Sequence, residues 1–172
     1  MLSRDDNPEI KSIILYGNSH TFLEMTSMIL IKRWFKQENI VKRKTTYIFD
    51  SNEIEYEFSD YHFEFDYSEK YIKFIKSIVQ NKNISDKPFI FIMKNMDEVP
   101  KHKQVALRKM LDVVGNNQYI MLVNNPSKLD EAVSSRSIFI NAHFKMNKLL
   151  TIINKIIEKP INLDHLNNLF YK

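Results

Sequence analysis

A three-layer α/β domain built on a parallel sheet is the fold class this sequence predicts, and three observations predict it. Ser12–Tyr16, Phe89–Met93 and Tyr119–Val123 are short, continuously apolar runs, the pattern of strands buried on both faces. Between them, apolar residues recur at helical spacing: Leu23, Ser27, Leu30, Ile31 and Trp34, then Tyr71, Ile72, Ile75, Ile78 and Val79. Buried strands alternating with helices require a sheet covered on both sides. A chain of 172 residues holds one such domain with a sizeable core, and a second of full size would be a tight fit.

In order along the chain, Ser12–Tyr16 is a strand closed by Gly17, and the helix of Leu23 to Trp34 follows. Thr46–Phe49 and Ile54–Phe65 are β-rich, the second alternating Ile54, Tyr56 and Phe58 with acids. Ser68–Gln80 is a helix, 81–88 a polar loop, and Phe89–Met93 the next strand. Lys101–Val114 is a helix with Pro100 at its start and Gly115 beyond its end, the usual asymmetry of helix termini. Tyr119–Val123 is a strand, Ser127–Ser135 a turn or short helix, and Ile138–Ile140 the last strand. Helical patterns at Met146–Glu158 and Leu163–Tyr171, separated by Pro160, divide the chain into a main domain, 1–145, and a helical C-terminal segment, 146–172.

Composition excludes several classes of function. There is no cysteine, and the five histidines have no ligand spacing, so disulfides, thiolate metal sites and a resident metal are not expected. No apolar run reaches the roughly 18 residues of a membrane span, and the acids of the N-terminus do not suit a signal peptide. The expectation is an intracellular protein, at a nuclear or cytoplasmic site, without a membrane partner. The net charge of +4 suits contact with nucleic acid and equally suits a solvated lysine-rich surface.

Three segments carry chemistry. A phosphate loop reads G-x-x-x-x-G-K-[ST], because backbone amides cradle the phosphates, lysine neutralises them and the hydroxyl binds magnesium. From Gly17 this chain offers Gly17, Asn18, Ser19, His20, Thr21, Phe22, Leu23 and Glu24. Phe22, Leu23 and Glu24 stand where the second glycine, the lysine and the hydroxyl belong; taken alone, the segment reads as an unrelated strand, turn and helix. The second segment is the end of Phe89–Met93, where an ATPase places an Asp for magnesium and a Glu for water. Here Lys94 and Asn95 follow, and Asp97 and Glu98 read as a solvated turn before the next helix. The third is Asn124 at the end of Tyr119–Val123, in the position of a γ-phosphate sensor, with Ser135-Arg136-Ser137 downstream. Neither ATP nor magnesium binding is expected.

Two further segments complete a resemblance: HKQVALRKMLD, His102–Asp112, and SDYHFEF, Ser59–Phe65. Together with YIMLVNNPSKLDEAVSSRS they resemble the small subunits of replication factor C, the sliding-clamp loader, and its bacterial delta-prime counterpart, over about residues 10–145. The match is to the Q-x-A-L-R-R helix, the sensor asparagine and the S-R-C box, with Ser137 in place of the cysteine. SDYHFEF is similar to a segment of the end subunit of the loader spiral, whose ATP site is degenerate.

The resemblance implies an AAA+ type domain in 1–145 and a partial helical lid in 146–172. Family members are longer, so the chain is either a truncated piece or a minimal relative, such as a viral one. It further implies that Arg136 is an arginine finger reaching a neighbour's γ-phosphate, and such a finger supplies roughly 10³–10⁵ in turnover. Gln104, Arg108 and Ser135 match interface and coupling positions. Lys101, Lys103 and Lys109 are candidates for tracking a DNA backbone, and Ser68–Gln80 corresponds to the clamp-binding helix. The implied partners are other clamp-loader ATPase subunits, a sliding clamp and primer-template DNA. The implied role is a catalytically inactive subunit supporting DNA replication; the alternative is a repurposed scaffold that binds a polymerase, a transcription factor or a clamp-like protein without ATP chemistry.

Overall fold

The computed structural model describes residues 12–80, 89–112 and 117–142. Seven strands form one sheet: β1 (Ser12–Tyr16), β2 (Arg43–Phe49), β3 (Asn52–Phe58), β4 (His62–Asp66), β5 (Ile90–Lys94), β6 (Gln118–Val123) and β7 (Ile138–Asn141). Their order across the sheet is β2-β3-β4-β5-β6-β1-β7. The five strands from β4 to β7 in that order are parallel, whereas β2, β3 and β4 pair antiparallel. The all-parallel expectation is thus corrected at one edge. Ile54–Phe65 is two strands, because Ser59 turns the chain: its Oγ accepts from the backbone N–H groups of Tyr61 at 3.1 Å and His62 at 3.3 Å. Between β2 and β3, Asp50 and Ser51 both take positive φ, 50° and 60°, as a two-residue hairpin turn with the twist of the strands requires.

Period-two alternation sends neighbouring residues to opposite faces, and the two faces are covered by different helices. On one side Ile13, Leu15, Ile90, Ile92, Ile120 and Leu122 bury against Leu23 and Ile31 of α1 (His20–Phe35). On the other, Ile14, Phe91, Met93, Tyr119, Met121 and Val123 meet α2 (Glu69–Gln80), α3 (Lys101–Asp112) and the short α4 (Glu131–Ser134). α2 contributes Tyr71, Ile72, Phe74 and Ile75, and α3 contributes Leu107, Met110 and Leu111. Each such side chain contributes about 1.5–3 kcal/mol on burial, so the three layers are held by the alternation itself.

The helix boundaries follow local chemistry. α3 starts on Pro100, whose carbonyl accepts from Lys103 and Gln104 N–H at 2.9 and 3.2 Å, and Asp130 caps α4 by accepting from Ala132 N–H at 2.9 Å. The end expected at Val114 and Gly115, and the helices expected within 146–172, lie outside the described residues.

Candidate functional site

The C-terminal ends of β1, β5 and β6 and the start of α1 define the crevice where an open parallel sheet binds a nucleotide. The segment from Gly17 to Glu24 does not wrap around this crevice as a phosphate loop would. Only Gly17, Asn18 and Ser19 separate β1 from α1, so His20, Thr21, Phe22, Leu23 and Glu24 are already helical. Leu23 N–H donates to Ser19 O at 3.0 Å and is lost to a ligand. The Leu23 side chain is fully buried in the α1 layer and does not reach over the turn as a phosphate-binding lysine does. Gly17 is explained by packing: a Cβ there would sit 3.3 Å from the Ala142 carbonyl oxygen, where β7 ends beside β1. The helix starts three residues before the Leu23 expected from the sequence pattern, so the segment from Gly17 to Glu24 is a three-residue turn followed by helix.

At the end of β5 the Lys94 ammonium lies 3.8 Å from Glu24 Oε1 and 3.5 Å from Glu64 Oε1. Glu64, on β4, is 2% exposed and also pairs with Lys42 at 3.0 Å, which in turn holds Glu57 at 2.9 Å. Burial alone would push the Glu64 carboxyl up, yet the His62 ring beside it, then Lys42 and last Lys94, hold it down at about 2. His62, fully buried, keeps its Nε2 3.8 Å from Glu64, beyond hydrogen-bond distance, and its Nδ1 is joined to Ser59 Oγ at 2.6 Å. A lysine and two carboxylates thus meet at the C-terminal end of β5. Among the described residues no group of three or more His, Cys, Asp or Glu could hold a metal ion. Asn95 takes a left-handed φ of 56°, which Asn tolerates, and donates its amide to Asp66 Oδ1 at 2.8 Å.

Sequence reasoning misplaced Asp97. Glu98 is exposed, but Asp97 is buried and its Oδ2 accepts from Asn125 N–H at 2.9 Å. Asn124 is exposed immediately after β6, so Asp97 anchors the backbone one residue beyond it. Gln104 is also internal. It is fully buried, its Nε2 donates to Val99 O at 2.7 Å and Lys128 O at 3.2 Å, and its Oε1 accepts from Asp130 N–H at 2.7 Å. Together Asp97 and Gln104 tie the segment after β5 to the segment after β6. Spacing alone offered no signal for this pairing, since the partners are 24 to 28 residues apart.

Arg136 is not the unconstrained loop arginine that its sequence setting suggests. Its Nε donates to Asp112 Oδ1 at 2.6 Å and its Nη1 to Ala132 O at 2.9 Å, with Ser135 Oγ 3.4 Å away. Its backbone is pinned as well: Ser12 Oγ donates to Arg136 O at 2.5 Å and shares a hydrogen bond with Ser137 Oγ at 2.9 Å. Arg108 is exposed, with Nε 3.8 Å from Asp112 Oδ2. Lys101, Lys103 and Lys109 line the exposed face of α3. On α2 the apolar residues Tyr71, Ile72, Phe74 and Ile75 face inward, and Lys70, Lys73 and Lys76 face outward. That helix therefore presents cations at its surface.

The sequence matches no established family profile and no curated protein. Among solved structures the fold is similar to a DNA polymerase III gamma subunit-related protein from Thermotoga maritima, with a TM-score of 0.64 at 12% identity. The similarity covers 87% of this chain and 46% of that one, so the chain spans about half the length of this neighbour. No helix among the described residues is long and apolar enough to cross a membrane. The mostly parallel seven-stranded sheet with helices on both faces, together with this likeness, makes the fold a three-layer α/β fold similar to that of this neighbour.

Proposed function

We propose that this chain acts as a clamp-loader-like AAA+ subunit that neither binds nor hydrolyses ATP, and that serves DNA replication by assembling with ATPase subunits and a sliding clamp. The observation that carries the reading is Lys94. Its ammonium, between Glu24 and Glu64, supplies internally the positive charge that a magnesium ion would bring, while the carboxylate of Glu24 repels a triphosphate. Leu23 in the core and the short Gly17–Ser19 turn support it, since they leave neither a phosphate cation nor a cradle. Within such an assembly Arg136 is the group offered to a neighbour's γ-phosphate, Asn124 lies at the sensor position, and the lysines of α3 lie toward primer-template DNA.

The decisive experiment is purification from the native source. A stoichiometric ATPase partner whose turnover falls when Arg136 is replaced by Ala supports the reading. A second reading, a scaffold for a polymerase, a transcription factor or a clamp-like protein, is favoured by the engagement of Arg136 within its own chain. Recovery of a partner without ATPase activity would select it.

A further inference from the structure

The carboxylate of Asp112 sits between two arginines. Arg136 Nε donates to Oδ1 at 2.6 Å, and Arg108 Nε, one helical turn back on α3, is 3.8 Å from Oδ2. The first contact is a short charge-assisted hydrogen bond and the second a looser Coulombic one. We propose that Asp112 is a latch: it holds Arg136 within its own chain, and Arg136 reaches an anion on another molecule only by releasing this carboxylate, which Arg108 then takes over. The inference rests on the reading of Arg136 as a residue that acts outside its own chain.

Three features support an exchange between two states. A guanidinium already paired with a carboxylate offers little net charge to a second anion, so the closed state is a quiet one. The pair is partly exposed, 29% at Arg136 and 49% at Asp112, and ion pairs in such settings are weak, so a polyanion can displace the carboxylate. Release also leaves no orphan, because Arg108 and Asp112 are already an i,i+4 pair on α3, a spacing that brings side chains together. The backbone of Arg136 is held by Ser12 Oγ at its carbonyl and by Val133 O at its N–H, so the change is a swing of the guanidinium, which gives up Ala132 O, and the backbone need not move.

The test uses the full chain alone, with inorganic tripolyphosphate as the anion and no metal. The nitrogen-bound Hε of Arg136 is followed by NMR, for its exchange with water and for its shift on titration. Asp112→Asn should speed Hε exchange and tighten tripolyphosphate binding at Arg136 about fivefold, equivalent to about 1 kcal/mol. Asp60→Asn, the same charge change at the exposed turn before β4, should alter neither by more than a fraction of that. Arg108→Ala should slow Hε exchange, since Asp112 is left to Arg136 alone. Unchanged exchange in Asp112→Asn, or exchange that speeds up in Arg108→Ala, overturns the latch. Both readouts belong to the isolated chain, so they leave the trans role of Arg136 standing if the latch fails. A partner ATPase indifferent to Arg136→Ala would remove that role and leave the latch in place.

Discussion

Replacing Lys94 with Met tests whether the internal cation holds the site together. Glu64 titrates at about 2 in the fold against an ordinary value of 4.5, and each pKa unit is worth about 1.4 kcal/mol. The ionised carboxylate therefore contributes about 3 kcal/mol to stability at neutral pH. His62, Lys42 at 3.0 Å and Lys94 at 3.5 Å share that contribution, Lys94 holding the smallest part, so Lys94→Met should cost no more than about 1 kcal/mol at pH 7. The pH dependence has a definite sign. The folded pKa lies below the unfolded one, so the contribution is fully present above about 4.5 and is lost as pH falls toward 2. The variant, whose Glu64 titrates higher, should begin to lose stability at a higher pH, and its deficit should close as both proteins become protonated. Urea denaturation midpoints from pH 7 down to pH 2.5, for Lys94→Met, Glu64→Gln and the double variant, measure this. The reasoning fails if Lys94→Met is as stable as the parent at pH 7. It fails equally if its deficit does not change with pH, because the loss would then be one of packing alone.

Calorimetry of the isolated chain with ATP and Mg²⁺ should register no binding, and micromolar magnesium-dependent affinity would contradict the site as described. Leu23→Lys, which would restore a phosphate lysine by motif, should instead destabilise the fold by several kcal/mol, since position 23 is fully buried; a soluble, fully stable variant would refute that placement. Gln104→Ala should cost about 2–3 kcal/mol by stranding the carbonyls of Val99 and Lys128 and the N–H of Asp130. Hydrogen exchange should then rise at Asp130, and a protected Asp130 amide would show that water or a neighbour substitutes. Arg136→Ala should lower stability by no more than about 1 kcal/mol, given the exposure of its partner, while lowering turnover in any assembled ATPase complex that contains the chain.

The apolar runs at Ser12–Tyr16, Phe89–Met93 and Tyr119–Val123 marked three central strands and the α/β class, because a strand buried on both faces leaves no polar alternation to obscure it. Lys94 and Asn95 were legible as departures from an acidic pair, since a motif is read over adjacent residues. What spacing did not reveal was where their charges go. Glu64 on β4 and Glu24 on α1 meet Lys94, and Lys42 before β2 meets Glu64, only because parallel pairing sets Asp66 beside Lys94 and α1 packs over the same end of the sheet. The start of α1 at His20 was hidden for a related reason: the G-x-x-x-x-G-K frame counts residues, whereas the helix start depends on whether Leu23 finds a core to enter. Asp97 and Arg136 looked solvated from their polar neighbours, yet their partners, Asn125 N–H and Asp112, arrive from segments 28 and 24 residues away. Local composition determines which segments become strands and helices because that choice rests on period and burial. The pairing of charges across those elements is a property of the tertiary arrangement, since each carboxylate ionises according to the cations that packing places beside it.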